Sequence, residues 1–139
     1  MTGLWERISS YLNGFEGRIC DILPQTLDKG FPAAGVFSRA EGKERCYYDG
    51  SVCLRIPFEV RLRINAFTVR SKSEGLNSLI GLMEYIRSTP LWDTVEGGQI
   101  RGVRVNGIPY RCSEFSDGSE EYCLRFYVDM KSVCGGRYE

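Results

Sequence analysis

Residues 53–65, CLRIPFEVRLRIN, alternate between two chemistries along most of their length. Leu54, Ile56, Phe58, Val60, Leu62 and Ile64 fall on one parity, and Arg55, Glu59, Arg61 and Arg63 fall on the other. Successive side chains of a strand point to opposite faces, so this stretch fits a strand with one buried face and one polar face. A strand of a parallel sheet covered on both sides would be apolar throughout. Pro57 has no N–H to give to a ladder, so the strand either gives up a bond there or lies at an edge.

Leu4, Ile8, Leu12 and Phe15 recur on one helical stripe behind Thr2 or Gly3 as a cap, and Pro24 stops any continuation through Ile19 to Leu23. From Phe31, turns at Glu41-Gly42 and Asp49-Gly50 divide three strands. Ser71 and Glu74 have capping-box spacing ahead of Leu76, Leu79, Ile80, Met83 and Ile86, a second helix that Pro90 ends. QIRGVRV, a turn at Asn106-Gly107, IPYRCSEF, a turn at Asp117-Gly118 and EYCLRFYVDMKSV read as the remaining strands, the last with Tyr122, Leu124, Phe126, Val128 and Met130 on one face. No internal repeat or linker stands out, so residues 1–139 are expected to form a single domain. The order predicts an α+β fold: a mostly antiparallel sheet with two main helices packed on one face.

Composition removes several functions. The 18 basic and 18 acidic residues cancel, so a charged partner must meet a local patch. No apolar run approaches the about 20 residues that span a bilayer, and no charged start leads into an apolar stretch, which places folding in a cytoplasm without a membrane partner. Histidine, the commonest general acid-base side chain at neutral pH, is absent. The six cysteines form no CxxC, so the usual zinc patterns are missing, and neither a GxSxG elbow nor a P-loop occurs. The expectation is a protein that is not an enzyme, with no metal and no cofactor. Asp117, Glu120 and Glu121 match no calcium loop and read as a solvated hairpin tip. Cys46 and Cys53 are equidistant from Asp49-Gly50, as Cys112 and Cys123 are from Asp117-Gly118. Each pair should lie directly cross-strand at hydrogen-bonded positions, which suit reduced thiols better than a disulfide.

The polar parity is the candidate binding surface. Arg55, Glu59, Arg61 and Arg63 gain Arg101, Arg104 and Arg125 if their strands are neighbours, with Tyr47, Tyr110 and Tyr127 interleaved. Three readings stay open: a solvated face whose arginines pair with Glu59, Glu114 and Asp129, a polar protein interface, or a platform for single-stranded nucleic acid.

Taken together, the N-terminal amphipathic helix, YYDGSVCLRIPFEVRLRI, SEGLNSLIGLMEYI and EYCLRFYVDM resemble the minor capsid and tail-terminator proteins of tailed bacteriophages and prophages, over Leu4 to Met130. The resemblance implies a non-enzymatic virion protein of the tail or neck, made in the bacterial host cytoplasm. It further implies a homo-oligomer, typically a hexameric ring, on the head-proximal end of the tail tube that stops tube polymerisation and joins tail to head. The partners so implied are the major tail tube protein and a head-tail connector protein. Arg55, Glu59, Arg61, Arg63, Arg104 and Arg125 would then meet a neighbouring subunit or line a lumen with non-specific DNA contact. The alternative is a small nucleic-acid-binding module using the same Arg/Tyr face.

Overall fold

The structure is a computed structural model describing residues 3–38, 44–48, 51–65 and 68–131, with the backbone alone for 44–48 and 51–53. In chain order it runs α1 (Leu4–Asn13), β1 (Ile22–Pro24), β2 (Ala33–Ser38), β3 (Glu44–Tyr48), β4 (Ser51–Asn65), α2 (Val69–Ser88), β5 (Asp93–Val95), β6 (Gly98–Val105), β7 (Tyr110–Glu114) and β8 (Ser119–Lys131). The described strands form one sheet in the order β1-β2-β4-β8-β6-β5, with β3 also on β4 and β7 also on β8.

The architecture corrects the expected layer of mostly antiparallel strands with two helices on one face. The sheet is mixed and curls into a half-barrel, and strand residues outnumber helical ones. β1 runs parallel to β2, which supplies the mixed pairing. Register shifts interrupt β6 between Ile100 and Gly102 and β7 between Arg111 and Ser113. An extra residue bends its strand and sharpens the right-handed twist, so two shifts on the same side of β8 favour a curl over a flat layer.

The centre is the β4–β8 pair, in register from Leu54 with Met130 to Asn65 with Ser119. Pro57 lies within this pair and not at an edge. On the other side of β4, pairing with β3 ends at Arg55 and pairing with β2 begins at Phe58, so the proline faces a break in that ladder. The expected hairpin at Asn106-Gly107 does not form either, because β6 and β7 lie end to end along β8. The turns at Glu41-Gly42 and Asp49-Gly50, together with Thr2, Cys134 and the C-terminal SVCGGRYE, lie outside the described residues.

The apolar parity of β4 forms the core as read: Phe58, Val60, Leu62 and Ile64 are buried with Leu124, Phe126 and Val128 of β8. α2 adds Leu79, Leu82, Met83 and Ile86. Its cap is Thr68, whose Oγ1 accepts the Ser71 N–H at 3.1 Å, so the helix starts before the expected Ser71–Glu74 box. Gly75 brings α2 close to the sheet: a Cβ there would lie 3.0 Å from the Ile64 side chain, which would have to give by a few tenths of an ångström.

α1 spans the open side of the curl and meets both edge strands. Asn13 treats β1 as a neighbouring strand would: its Nδ2 donates to the Ile22 carbonyl at 2.9 Å and its Oδ1 accepts the Ile22 N–H at 2.8 Å. Ser9 Oγ donates to the same carbonyl at 2.7 Å. Toward the other edge, Arg7 Nε donates to Asp93 of β5. Open strand edges invite pairing with other chains, and here one helix occupies the edge groups of β1.

The fold carries a second regularity. Each half runs helix, short edge strand, strand, short strand, long strand, and the two long strands pair at the centre. Asp-Gly-Ser and Cys-Leu-Arg recur at 49–51 and 53–55 and again at 117–119 and 123–125, at the start of each long strand. The recurrence is short and differently spaced, which is why periodicity did not expose it.

Candidate functional site

The register of the sheet places the expected residues on one face. Opposite Arg55, Glu59, Arg61 and Arg63 on β4 stand Asp129, Arg125, Cys123 and Glu121 on β8. Arg104 on β6 is paired with Tyr127, and Tyr110 on β7 with Cys123. All six candidate residues are therefore on the outer face, away from the core.

Their electrostatics divide them. Arg55 grips Asp129 with Nε at 2.9 Å and Nη2 at 3.3 Å, and Asp129 is only 1% exposed. Arg63 holds Glu121 at 2.7 Å, and Arg61 Nε donates to Glu59 at 2.6 Å. The Glu59 bond is the largest of the causes that raise the Arg61 pKa above its ordinary value. The carboxylates are buried under the arginine stems, an arrangement that keeps charges paired where water is scarce.

The guanidinium planes also lie on rings. Arg55 is over Tyr127, Arg61 over Phe37, Arg63 over Phe115, Arg101 over Trp92 and Arg125 over Tyr110, at 4.7–5.6 Å from the centroids. Arg125 faces Glu59 in register, yet Glu59 accepts at Oε2 from Arg61 and from the Cys123 thiol at 3.5 Å. The buried Nε atoms of Arg125 and Arg101 meet no acceptor among the described residues. Trp92, under Arg101, is 61% exposed, and Ile108, in the connection between β6 and β7, is 70% exposed. Trp92 was missed in the sequence, where its place just before a three-residue edge strand left no periodic signal.

The acidic hairpin corrects two further expectations. The β7–β8 connection, residues 115–118, is closed by the Phe115 N–H to the Ser119 carbonyl at 3.0 Å, with Gly118 at φ +88°. Glu120 and Glu121 are not a solvated tip: they are 5% and 6% exposed. Parity carried the signal, since Glu121 shares the face of Arg125, Tyr127 and Asp129. The extra residue in β7 also moves Cys112 out of direct pairing and puts Tyr110 opposite Cys123. Cys46 and Cys53 are direct partners on the backbone, as expected.

Glu120 gives a pH prediction. Burial works to raise its carboxyl, and the Tyr122 hydroxyl at 2.9 Å, Lys72 and Arg111 outweigh burial and hold it below the ordinary 4.5. A carboxyl lowered by folding stabilises above its ordinary value, and that contribution is lost as pH falls through the folded value. The stability advantage of the wild type over Glu120→Gln, from urea midpoints, is therefore expected to be full at neutral pH and to shrink steadily below pH 4.5.

The thiols give another prediction. Burial first, then Cys112 and Glu59, push the Cys123 thiol far up, whereas Cys112 is exposed. Thiolate is the reactive form. Iodoacetamide applied to the folded protein is expected to label Cys112 quickly and Cys123 only on unfolding, read by peptide mass spectrometry.

Two cavities border the concave side. One, about 10 Å³, is lined mainly by apolar side chains including Phe15, Cys20, Leu62 and Leu82. The other, about 340 Å³, is a mixed cleft lined by Ile19, Phe31, Pro32, Ile64, Asn65, Ser71 and Glu74. No group of three or more Cys, Asp or Glu side chains suited to a metal ion occurs among the described residues. No helix is long and apolar enough to cross a membrane among them. No protein-family model matches this chain, and no curated protein matches it.

Proposed function

We propose that this chain is a non-enzymatic structural subunit of a tailed-phage particle, of tail-terminator or minor-capsid type. It assembles as a ring on the head-proximal end of a tail tube, ends tube polymerisation and joins tail to head. Its place is the virion tail or neck.

The observation that carries the reading is the construction of the outer face. Five arginines rest on rings and three of them grip buried carboxylates, so the face presents side chains that are already ordered. Ordered side chains lose little freedom when a partner binds. Arginine, tryptophan and tyrosine are the residues enriched in protein contacts. Trp92 stands exposed beside Arg101, and Tyr110 beside Arg125.

The same detail weighs against the nucleic-acid alternative. Single-strand platforms stack bases on open aromatic faces, and here the guanidinium groups already occupy positions over those rings. Light scattering of the purified protein together with titration against a fluorescent oligonucleotide tests the choice. The expected result is species heavier than a monomer and indifference to the oligonucleotide. A monomer that binds single strands, with affinity falling steeply as salt rises, would transfer the assignment to the alternative.

A further inference from the structure

The outer face carries two thiols, Cys112 and Cys123, and neither belongs to the packed apolar core. Cys123 lies on β8 on the parity of Glu121, Arg125, Tyr127 and Asp129, and it is 1% exposed. Cys112 is the extra residue of β7, between Arg111 opposite Tyr122 and Ser113 opposite Glu121, and it is exposed. A bulge takes its extra residue off the ladder and re-aims the side chain. Here the Cys112 thiol reaches back to β8 and donates to the Glu121 carbonyl at 3.5 Å, two residues from Cys123. A side-chain hydrogen bond joins the two thiols, and both act on the hydroxyl of Tyr110, the residue that faces Cys123.

This placement differs from direct pairing at a hydrogen-bonded position, whose wider Cα spacing suits a disulfide poorly. β7 is a five-residue strand that pairs with β8 alone among the described strands. Most of its residues are exposed, so little holds its backbone against the small adjustment a disulfide requires. Access is unequal as well: a reagent in solvent reaches Cys112 directly, whereas Cys123 is covered. An exposed thiol with a second thiol poised behind it is the arrangement of an attacking and a resolving cysteine.

We propose that Cys112 and Cys123 form a reactive dithiol: Cys112 captures a small disulfide from solvent, and Cys123 displaces the captured half to close a staple between β7 and β8. The inference stands apart from the assembly reading. The reaction is thiol–disulfide exchange in two steps. Cys112 loses its proton to solvent and its sulfur attacks one sulfur of the small disulfide, whose S–S bond breaks to release a thiolate that takes up a proton. Cys123 then passes its proton to the Glu59 carboxylate that accepts it at 3.5 Å, and its sulfur attacks the Cys112 sulfur. The mixed bond breaks, and the second small thiolate leaves and takes up that proton. The protein dithiol thereby loses two electrons and two protons, and the small disulfide gains them. Burial holds the Cys123 proton, so closure is slower than capture. Closure also removes the donor that Cys123 gives to Glu59 beside Arg61, so oxidation acts on the face that carries the arginines.

Oxidised glutathione is the probe. Residues 113–124 contain no Lys or Arg, so trypsin releases both thiols in one peptide, residues 112–125. The folded protein is sampled over time, quenched in acid, unfolded, alkylated with excess iodoacetamide, digested and read by mass spectrometry. The peptide is expected to gain one glutathione on Cys112, then to lose it and appear two hydrogens lighter than the dithiol with no alkyl group. Cys123→Ser is expected to stop at the glutathione adduct, and Cys112→Ser to leave Cys123 fully alkylated. Circular dichroism checks that both variants fold, and the wild-type time course decides the matter if one does not. A wild-type peptide that stays a dithiol, that keeps glutathione on Cys112 without closing, or that joins either thiol to another cysteine would overturn the proposal. Capture at Cys123 in folded Cys112→Ser would overturn it too.

Discussion

Truncating Phe126 to alanine is expected to destabilise the fold by about 3–5 kcal/mol, the range for removing a large buried aromatic side chain. Phe126 is 0% exposed on the central strand β8, stacked on Phe58 at 5.6 Å, and Trp5 of α1 meets Phe58 edge-on at 5.0 Å. The cavity left by the change would therefore touch the centre of the sheet and the helix that closes the curl. The urea midpoint should fall while the slope of the transition stays constant, the pattern of a change in stability alone. A loss well under the quoted range would mean that the core collapses around the missing ring, contrary to the packing described for β4 and β8.

The second large effect belongs to Asp129. Replacing it by alanine leaves the Arg55 cation against a buried stretch of β8 without the carboxylate it grips. Breaking a buried pair costs several kcal/mol, and Arg55 keeps about a quarter of its side chain in water, so a loss of about 2–3 kcal/mol is expected. Glu84→Ala makes the contrast: the Arg87–Glu84 pair is more than half exposed on both sides, and its loss should cost below about 0.5 kcal/mol. Equal effects at the two positions would show that burial does not govern the ion pairs of the outer face.

The β4 alternation was legible because a half-buried strand leaves nothing to tertiary context: each odd and even position answers to one face. The core parity of β8 and most of α2 were legible for the same reason, since Leu79, Met83 and Ile86 lie on one helical stripe. The curl was not. It depends on β6 and β7 sharing one long partner and on two register shifts, and a pairing between distant segments leaves no local periodic mark. β1 escaped notice because three residues are too few to show a period, and its pairing is completed by the Asn13 side chain from the helix before it.

The candidate face was legible by parity, and the sheet register does bring Arg55, Glu59, Arg61, Arg63, Arg104 and Arg125 together on it. Which arginines are balanced was not legible. Glu121 looked like part of a loop, yet it lies under Arg63, while Glu59 bonds its own strand neighbour Arg61 in place of the facing Arg125. Those choices follow from side-chain reach and burial. They shift the emphasis from the β4 arginines to Arg101 over Trp92 and Arg125 over Tyr110.

Capping of tail tubes tests the central claim most directly. Tubes polymerised from a phage major tail tube protein would be mixed with this protein and imaged by negative-stain electron microscopy before and after more tube subunits are added. A ring of added density at one end of each tube, with no further growth from that end, is expected. Bare ends on tubes that keep lengthening at both ends would contradict it.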